Sequence, residues 1–233
     1  VYKKFKLDGN SQDFVGHAMA LETSDEYLNK PALPTLLACR LYGQSLSRHA
    51  GAASPYLYPV YGLGGLPEGF SRLCAVNGGT FMLNQPIDEV LFDEDGKAIG
   101  VRAGEQAAKA PVIIGEASYY PKGKVKQIGA VVRSICFLKH PVLKTDEAGS
   151  CQIIIPANQV AIAGYAPRKH DVYISVVSFE HKVAPEGMWI GIVSTNVETK
   201  EPLAFFQIIP NNDPSKTVET DIDGRFQIKL SEE

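Results

Sequence analysis

Ser54-Pro55-Tyr56-Leu57-Tyr58-Pro59-Val60-Tyr61-Gly62-Leu63-Gly64, residues 54–64 of a 233-residue chain, separates two different hydrophobic rhythms. It sits in a Gly-, Ala-, Pro- and Tyr-rich segment, 51–69, where Pro55, Pro59 and Pro67 oppose regular structure. Upstream, Phe14, Ala18 and Leu21, then Leu36, Leu37 and Leu41, recur at helical spacing, so residues 1–50 predict helices. Pro31 and Pro34 divide that run into two or three pieces. Val15, His17, Met19 and Leu21 alternate and blur the helical period. Downstream, Phe70 to Val76 predicts a short helix that stops at Asn77-Gly78-Gly79, where glycine supplies the positive φ of a helix end.

From residue 80 the period shortens. Thr80 to Leu83 predicts a strand, and Val90-Leu91-Phe92 with Ala98 to Val101 predicts a hairpin closed by the acidic turn Asp93-Glu94-Asp95-Gly96. Val112 to Ile114 reads as a short buried strand and Val125 to Ile128 as helical. Val131–Leu138, Cys151–Ile155, Val172–Ser178 and Trp189–Ser194 read as further strands. Residues 202–233 carry two strand-like runs, Leu203–Ile209 and Phe226–Leu230, around turn chemistry at 211–214 and 221–224. A helical head before a β-rich body is an α+β pattern, or two separate units. The expected divisions are 1–50, 51–201 and 202–233.

Composition narrows the function classes. The chain is 45% hydrophobic and 21% charged with a formal net charge of -3, an ordinary globular balance that gives no electrostatic footprint for nucleic acid. No Lys/Arg run points to a membrane surface and no apolar run is long enough to span a bilayer. Cys39, Cys74, Cys136 and Cys151 form no C-x-x-C pair and sit among apolar neighbours, the pattern of small buried thiols in a reducing compartment. No N-x-[ST] acceptor occurs, and Val-Tyr-Lys-Lys-Phe-Lys lacks the apolar segment of a signal peptide. A cytoplasmic protein is expected, and the absent initiator Met points to a start inside a longer one.

Catalytic and metal patterns fail at the level of spacing. Gly62-Leu63-Gly64-Gly65 lacks the third glycine of a dinucleotide loop and follows a Pro/Tyr loop where a strand is needed. His17, His49, His140, His170 and His181 form no H-E-x-x-H or H-x-H pair. His170 and Asp171 are adjacent, so on a strand they point to opposite faces and make a poor dyad. Asp93, Glu94 and Asp95 lack the ligand alternation of a calcium loop and read as a solvated turn. Tyr56, Tyr58 and Tyr61 have two readings: contact residues on a proline-held loop, or packing that seats the loop on the body.

The Ser54–Gly64 run, with Leu66-Pro67-Glu68-Gly69-Phe70 and Arg72-Leu73, resembles the Rab GDP-dissociation inhibitor family. The likeness continues through Gly78-Gly79-Thr80-Phe81-Met82-Leu83-Asn84-Gln85-Pro86-Ile87, through Ser150 to Val160, and through Ile192 to Thr199. Val1 to Phe5 and Phe14 to Leu21 look similar too, so the resemblance spans about residues 1–201. The sister Rab escort proteins share part of the pattern, but the Ser54–Gly64 and Cys151–Val160 blocks look more like the inhibitor.

The resemblance implies a non-catalytic carrier that needs no cofactor. Such proteins bind prenylated Rab GTPases in the GDP state, slow GDP release and retrieve them from membranes, with transient membrane association only. It implies part of a flavoprotein-like large domain with a mixed β-sheet, plus part of a small helical domain that shelters the isoprenoid lipid. Residue by residue, Arg72, Thr80 and Met82 match a Rab-contacting platform, and Arg48, Ser54 and Tyr56 match the mobile loop beside it. Gly65 stands where the family carries Glu, which removes a platform carboxylate. The loop is lengthened at His49-Ala50-Gly51-Ala52-Ala53, and Ala161 to Pro167 looks like an insertion. The family's N-terminal glycine fingerprint is not in this chain. Beyond about residue 201 the tail resembles the regulatory-like β-sandwich domains of carboxypeptidases. The alternatives are an inactive family fragment or a flavin/nicotinamide oxidoreductase relative.

Overall fold

The computed structural model describes residues 1–49, 54–160 and 166–199. The expected strands of the tail, the loop residues 50–53 and most of the 161–167 insertion lie outside the described residues. The described chain is α+β, with its α-helices before residue 77 and its strands after residue 88. It divides into two units, one of residues 1–65 with the chain from 129 onward, the other of Leu66–Ile128.

In the first unit the head is built from short pieces. Helix α1 spans Tyr2–Phe5 and α2 spans Gly9–Asp13, the latter capped by Asp8, which accepts the Ser11 N–H at 2.8 Å. Phe14–Met19 continues α2 as a π-helical turn, closed by Ala20 N–H on Val15 C=O. The buried residues here are Gly16, His17 and Ala20, so of the alternating Val15, His17, Met19 and Leu21 only His17 is buried. Tyr27, in a 3₁₀ turn at Asp25–Asn29, packs over Gly16 so closely that a Cβ there would overlap its hydroxyl. Helix α3 spans Leu33–Leu46, and Pro34 lies in its first turn. Pro34 therefore opens a helix rather than breaking one, because first-turn N–H groups have no intrahelical partner. The apolar spacing marks an exposed surface here: Phe14, Leu36, Leu37 and Leu41 are all solvent-accessible, and the buried residues are Gly16, His17, Ala20, Tyr27 and Thr35.

The same unit holds a four-stranded sheet of β4 (Val131–Leu138), β5 (Ser150–Ile155), β6 (Val172–Ser178) and β7 (Trp189–Asn196), in the order β4-β7-β6-β5. All of its pairs are antiparallel, where the resemblance implies a mixed sheet. Register puts Ser134 opposite Val193 and Val176 opposite Gly191, and one face carries the buried Ser134, Val176, Gly191 and Thr195. On the other face Val131, Ile135, Phe137 and Ile192 stay exposed.

A buried ion pair fastens the head to this sheet. His17 Nδ1 donates to Asp171 Oδ2 at 2.6 Å, and Nε2 donates to Asp25 Oδ1 at 3.1 Å. The His17 and Asp171 side chains are 2% and 0% exposed. The Asp171 hydrogen bond, with the Asp25 contact, raises the His17 pKa to about 9 against the opposing effect of burial. Asp171 also accepts the Ala157 N–H at 2.9 Å. The neighbouring His170, in the bend that precedes β6, turns to Glu198 at 2.8 Å, so the adjacent His and Asp serve separate partners.

The second unit holds α4 (Gly65–Val76) from Leu66 on and a three-stranded antiparallel sheet, β1 (Glu89–Phe92), β2 (Ala98–Ala103) and β3 (Gln106–Lys109). The acidic turn forms as expected: Gly96 has φ 76 and Asp93 Oδ1 accepts the Lys97 N–H at 2.8 Å. Helix α4 starts at Gly65, five residues before the expected Phe70, with Pro67 in its first turn. It ends as expected, Gly78 having φ 88 and Gly79 N–H reaching Cys74 C=O.

Four expectations need correction. Thr80–Leu83 is irregular and exposed, since no described strand pairs with it. Val112–Ile114 is neither strand nor buried, Ile114 being 94% exposed. Val125–Ile128 is not helical; a 3₁₀ turn at Lys122–Lys124 precedes it and Val125 is extended. The cysteines are not buried thiols: Cys74 is exposed and the other three are half-buried. Periodicity also misses β3, whose polar Gln106-Ala107-Ala108-Lys109 is recruited by backbone pairing with β2.

Candidate partner-binding surface

In the first unit, residues 54–64 leave the head as an extended loop held by local contacts. Ser54 Oγ accepts the Tyr56 N–H at 3.2 Å, and the Tyr56 ring meets Tyr42 of α3 edge to face at 6.5 Å. Burial, then the neighbouring Tyr42, raises the Tyr56 pKa, so the phenol stays a neutral donor. Arg48 follows α3 and is exposed. Residues 59–62 form a turn in which Gly62 N–H reaches Pro59 C=O at 3.0 Å and Tyr61 takes φ 72. This is the type II position that favours glycine. The Tyr61 side chain is nevertheless 78% exposed. The two readings of the tyrosines thus divide among them: Tyr58 packs on His181, Tyr56 is shared between Tyr42 and solvent, and Tyr61 points outward.

In the second unit, Arg72 lies on α4, exposed, and among the described residues no carboxylate pairs with it. Leu66, Phe70, Leu73 and Val76 recur at three- and four-residue steps along the same helix, and all are exposed. Thr80 and Met82 follow in the irregular segment, Met82 being 65% exposed. Gly65 begins α4 with open space around the position a Cβ would take. Arg48, Ser54, Tyr56 and Gly65 therefore belong to one unit, and Arg72, Thr80 and Met82 to the other.

Exposed aromatic, aliphatic and Met side chains around exposed arginines suit protein contact, because large apolar area and a desolvatable guanidinium dominate such interfaces. Among the described residues no three His, Cys, Asp or Glu side chains gather as a metal site. No described helix is long and apolar enough to cross a membrane. Sequence reasoning gave no role to His17 or to His181: their partners lie 154 residues away and across the loop, and no local spacing announces either.

The model of the GDP dissociation inhibitor family matches residues 1–220, past the point near 201 where the sequence reading sets the tail apart. The chain is 52% identical over 204 residues to the probable secretory pathway GDP dissociation inhibitor 1 of Schizosaccharomyces pombe, which covers 88% of this chain and 44% of that protein. It is 49% identical over 202 residues to the Rab GDP dissociation inhibitor beta of Rattus norvegicus, 87% of this chain and 43% of that one. Among solved structures it resembles a Rab GDI of Plasmodium falciparum, with TM-score 0.77 and 46% identity over 87% of this chain and 44% of that chain. The chain thus spans less than half the length of these relatives.

Proposed function

Because the chain belongs to the GDP dissociation inhibitor family, we propose that it is a non-catalytic, cytoplasmic carrier of Rab GTPases in vesicle traffic. In this reading it binds the prenylated, GDP-bound form, slows GDP release and retrieves the GTPase from membranes. The ordered likeness over residues 1–220 carries the proposal.

The exposed chemistry supports it residue by residue. Tyr56 and Met82 offer adaptable apolar contacts, and Arg48 and Arg72 offer guanidinium groups for carboxylates or carbonyls of the GTPase. Ser54 and Thr80 add hydroxyls at the same exposed positions. The uncovered Leu33, Leu36, Leu37 and Leu41 of α3 suit an isoprenoid chain, whose burial is favourable by about 0.8 kcal/mol per methylene.

Gly65 favours a second reading, a family member with weakened or lost GTPase binding, because a carboxylate missing from the platform leaves its cationic partner unpaired. One assay separates the two: release of a fluorescent GDP analogue from prenylated Rab, with the unsubstituted chain and with Gly65→Glu. The carrier reading expects slowed release, and a further slowing of about tenfold with the Gly65→Glu variant. The open space at Gly65 and its place at a helix N-terminus let the longer acidic side chain fit. Release unaffected by the unsubstituted chain but slowed by Gly65→Glu establishes the second reading.

A further inference from the structure

The turn Phe179–Lys182 lies far in sequence from the loop expected to touch the GTPase, yet it is where that loop is seated. Three contacts meet at this turn and the adjoining Val183. Tyr61 N–H donates to His181 C=O at 2.8 Å. The Tyr58 ring stands edge-on to the His181 imidazole, with centroids 5.2 Å apart and planes at 88°. Gly62, with φ 96, lies against Val183, and a Cβ there would come within 3.3 Å of Val183 Cγ1.

The chemistry of the seat is that of a wall. His181 Nδ1 is buried without a hydrogen-bond partner among the described residues, so the ring works here through its faces and edge. The object held is strained. Tyr61 adopts a backbone conformation that L-residues rarely take, and such a conformation persists only where its surroundings impose it. The seat therefore holds Tyr61 in a turn that leaves its side chain exposed, on a loop whose Leu57 and Leu63 are exposed as well.

We propose that His181 is a positioning residue for partner binding: it makes no contact with the GTPase, and its ring, by holding Tyr58 beside the Tyr61 N–H bond to its main-chain carbonyl, sets the turn from which the exposed Tyr61 side chain meets the GTPase. The proposal rests on the carrier reading. It names a contact, Tyr61, and a support, His181, that the likeness to the family's loop at Arg48, Ser54 and Tyr56 does not.

A double-mutant cycle on the whole chain tests it, with affinity for prenylated, GDP-loaded Rab as the readout. His181→Ala is expected to weaken binding about tenfold in the native background and less than about twofold in a Tyr61→Ala background. His181→Phe keeps the aromatic wall and is expected to restore most of the affinity. Hydrogen exchange follows the Tyr61 amide in parallel, and slow exchange in the unsubstituted chain is expected because that N–H is donated to His181. Additive losses in the cycle, or a His181→Phe variant that binds as weakly as His181→Ala, overturn the positioning role. A rapidly exchanging Tyr61 amide overturns the seat itself. No binding by the unsubstituted chain, with the amide protected, overturns the carrier reading and the positioning role while leaving the seat established.

Discussion

Asp171→Asn removes one partner of the buried pair that fastens the helical head to the sheet. The side-chain oxygen of Asn can still accept the Ala157 N–H, but it no longer pairs with an imidazolium 2.6 Å away. Breaking a buried pair while leaving the other charge in place costs roughly 3–5 kcal/mol. The half-exposed Asp25 carboxylate keeps some compensation on Nε2, so about 3 kcal/mol is expected. The same pair sets a pH signature. His17 is raised from 6.5 to about 9, so the folded state holds a proton that the unfolded state releases between those values. Its contribution is fully present below pH 6.5 and is lost as pH rises through about 9, a loss on the order of 3 kcal/mol. Urea unfolding at pH 6 and pH 9.5 measures both effects. At pH 6 the variant is expected to unfold at a midpoint about 1 M lower, and by pH 9.5 the gap largely closes. Equal midpoints at pH 6, or a gap that stays constant up to pH 9.5, refute the linkage.

Two further outcomes follow from the same reasoning. Glu198 accepts the N–H groups of Lys169 and His170 and the His170 ring, so Glu198→Ala is expected to lower stability by about 2 kcal/mol, read by urea unfolding at pH 7. Burial works to raise the Glu198 pKa, but those hydrogen bonds and Arg168 outweigh it and lower it below 4.5. Its contribution is therefore present above that value and is lost as pH falls through the folded one, which the same titration carried into acid reads out. Gly100 of β2 pairs beside β3, and a Cβ there would overlap the Ala108 carbonyl, so Gly100→Ala is expected to cost about 1–3 kcal/mol. Amide exchange accelerated within β1–β3 alone is the expected pattern.

The sequence was most informative where local chemistry dictates local structure. The Asn77-Gly78-Gly79 stop, the Asp93–Gly96 turn and the strands β4–β7 of the four-stranded sheet are all present where their residues place them. It was least informative where a segment's state depends on a neighbour. Thr80–Leu83 and Val112–Ile114 have strand-like side chains but no described strand to pair with, whereas polar Gln106–Lys109 has one. Helical spacing at Leu36, Leu37 and Leu41 marked a helix correctly but left open that these residues are exposed, because periodicity says which residues share a side and not what covers it. The surface residues came from the family likeness, Ser54, Tyr56, Thr80 and Met82 within the Ser54–Gly64 and Gly78–Ile87 blocks and Arg48, Gly65 and Arg72 beside them, not from spacing. The supports, His181 under the loop and His17 with Asp171 under the head, join positions far apart in the chain and leave no local pattern to read.

Extraction of prenylated Rab from membranes, GDP-loaded against GTP-loaded, tests the central claim most directly. Selective removal of the GDP-loaded form by this chain is the expected result. A chain shown to be folded that leaves both forms on the membrane, or removes them equally, contradicts the carrier function.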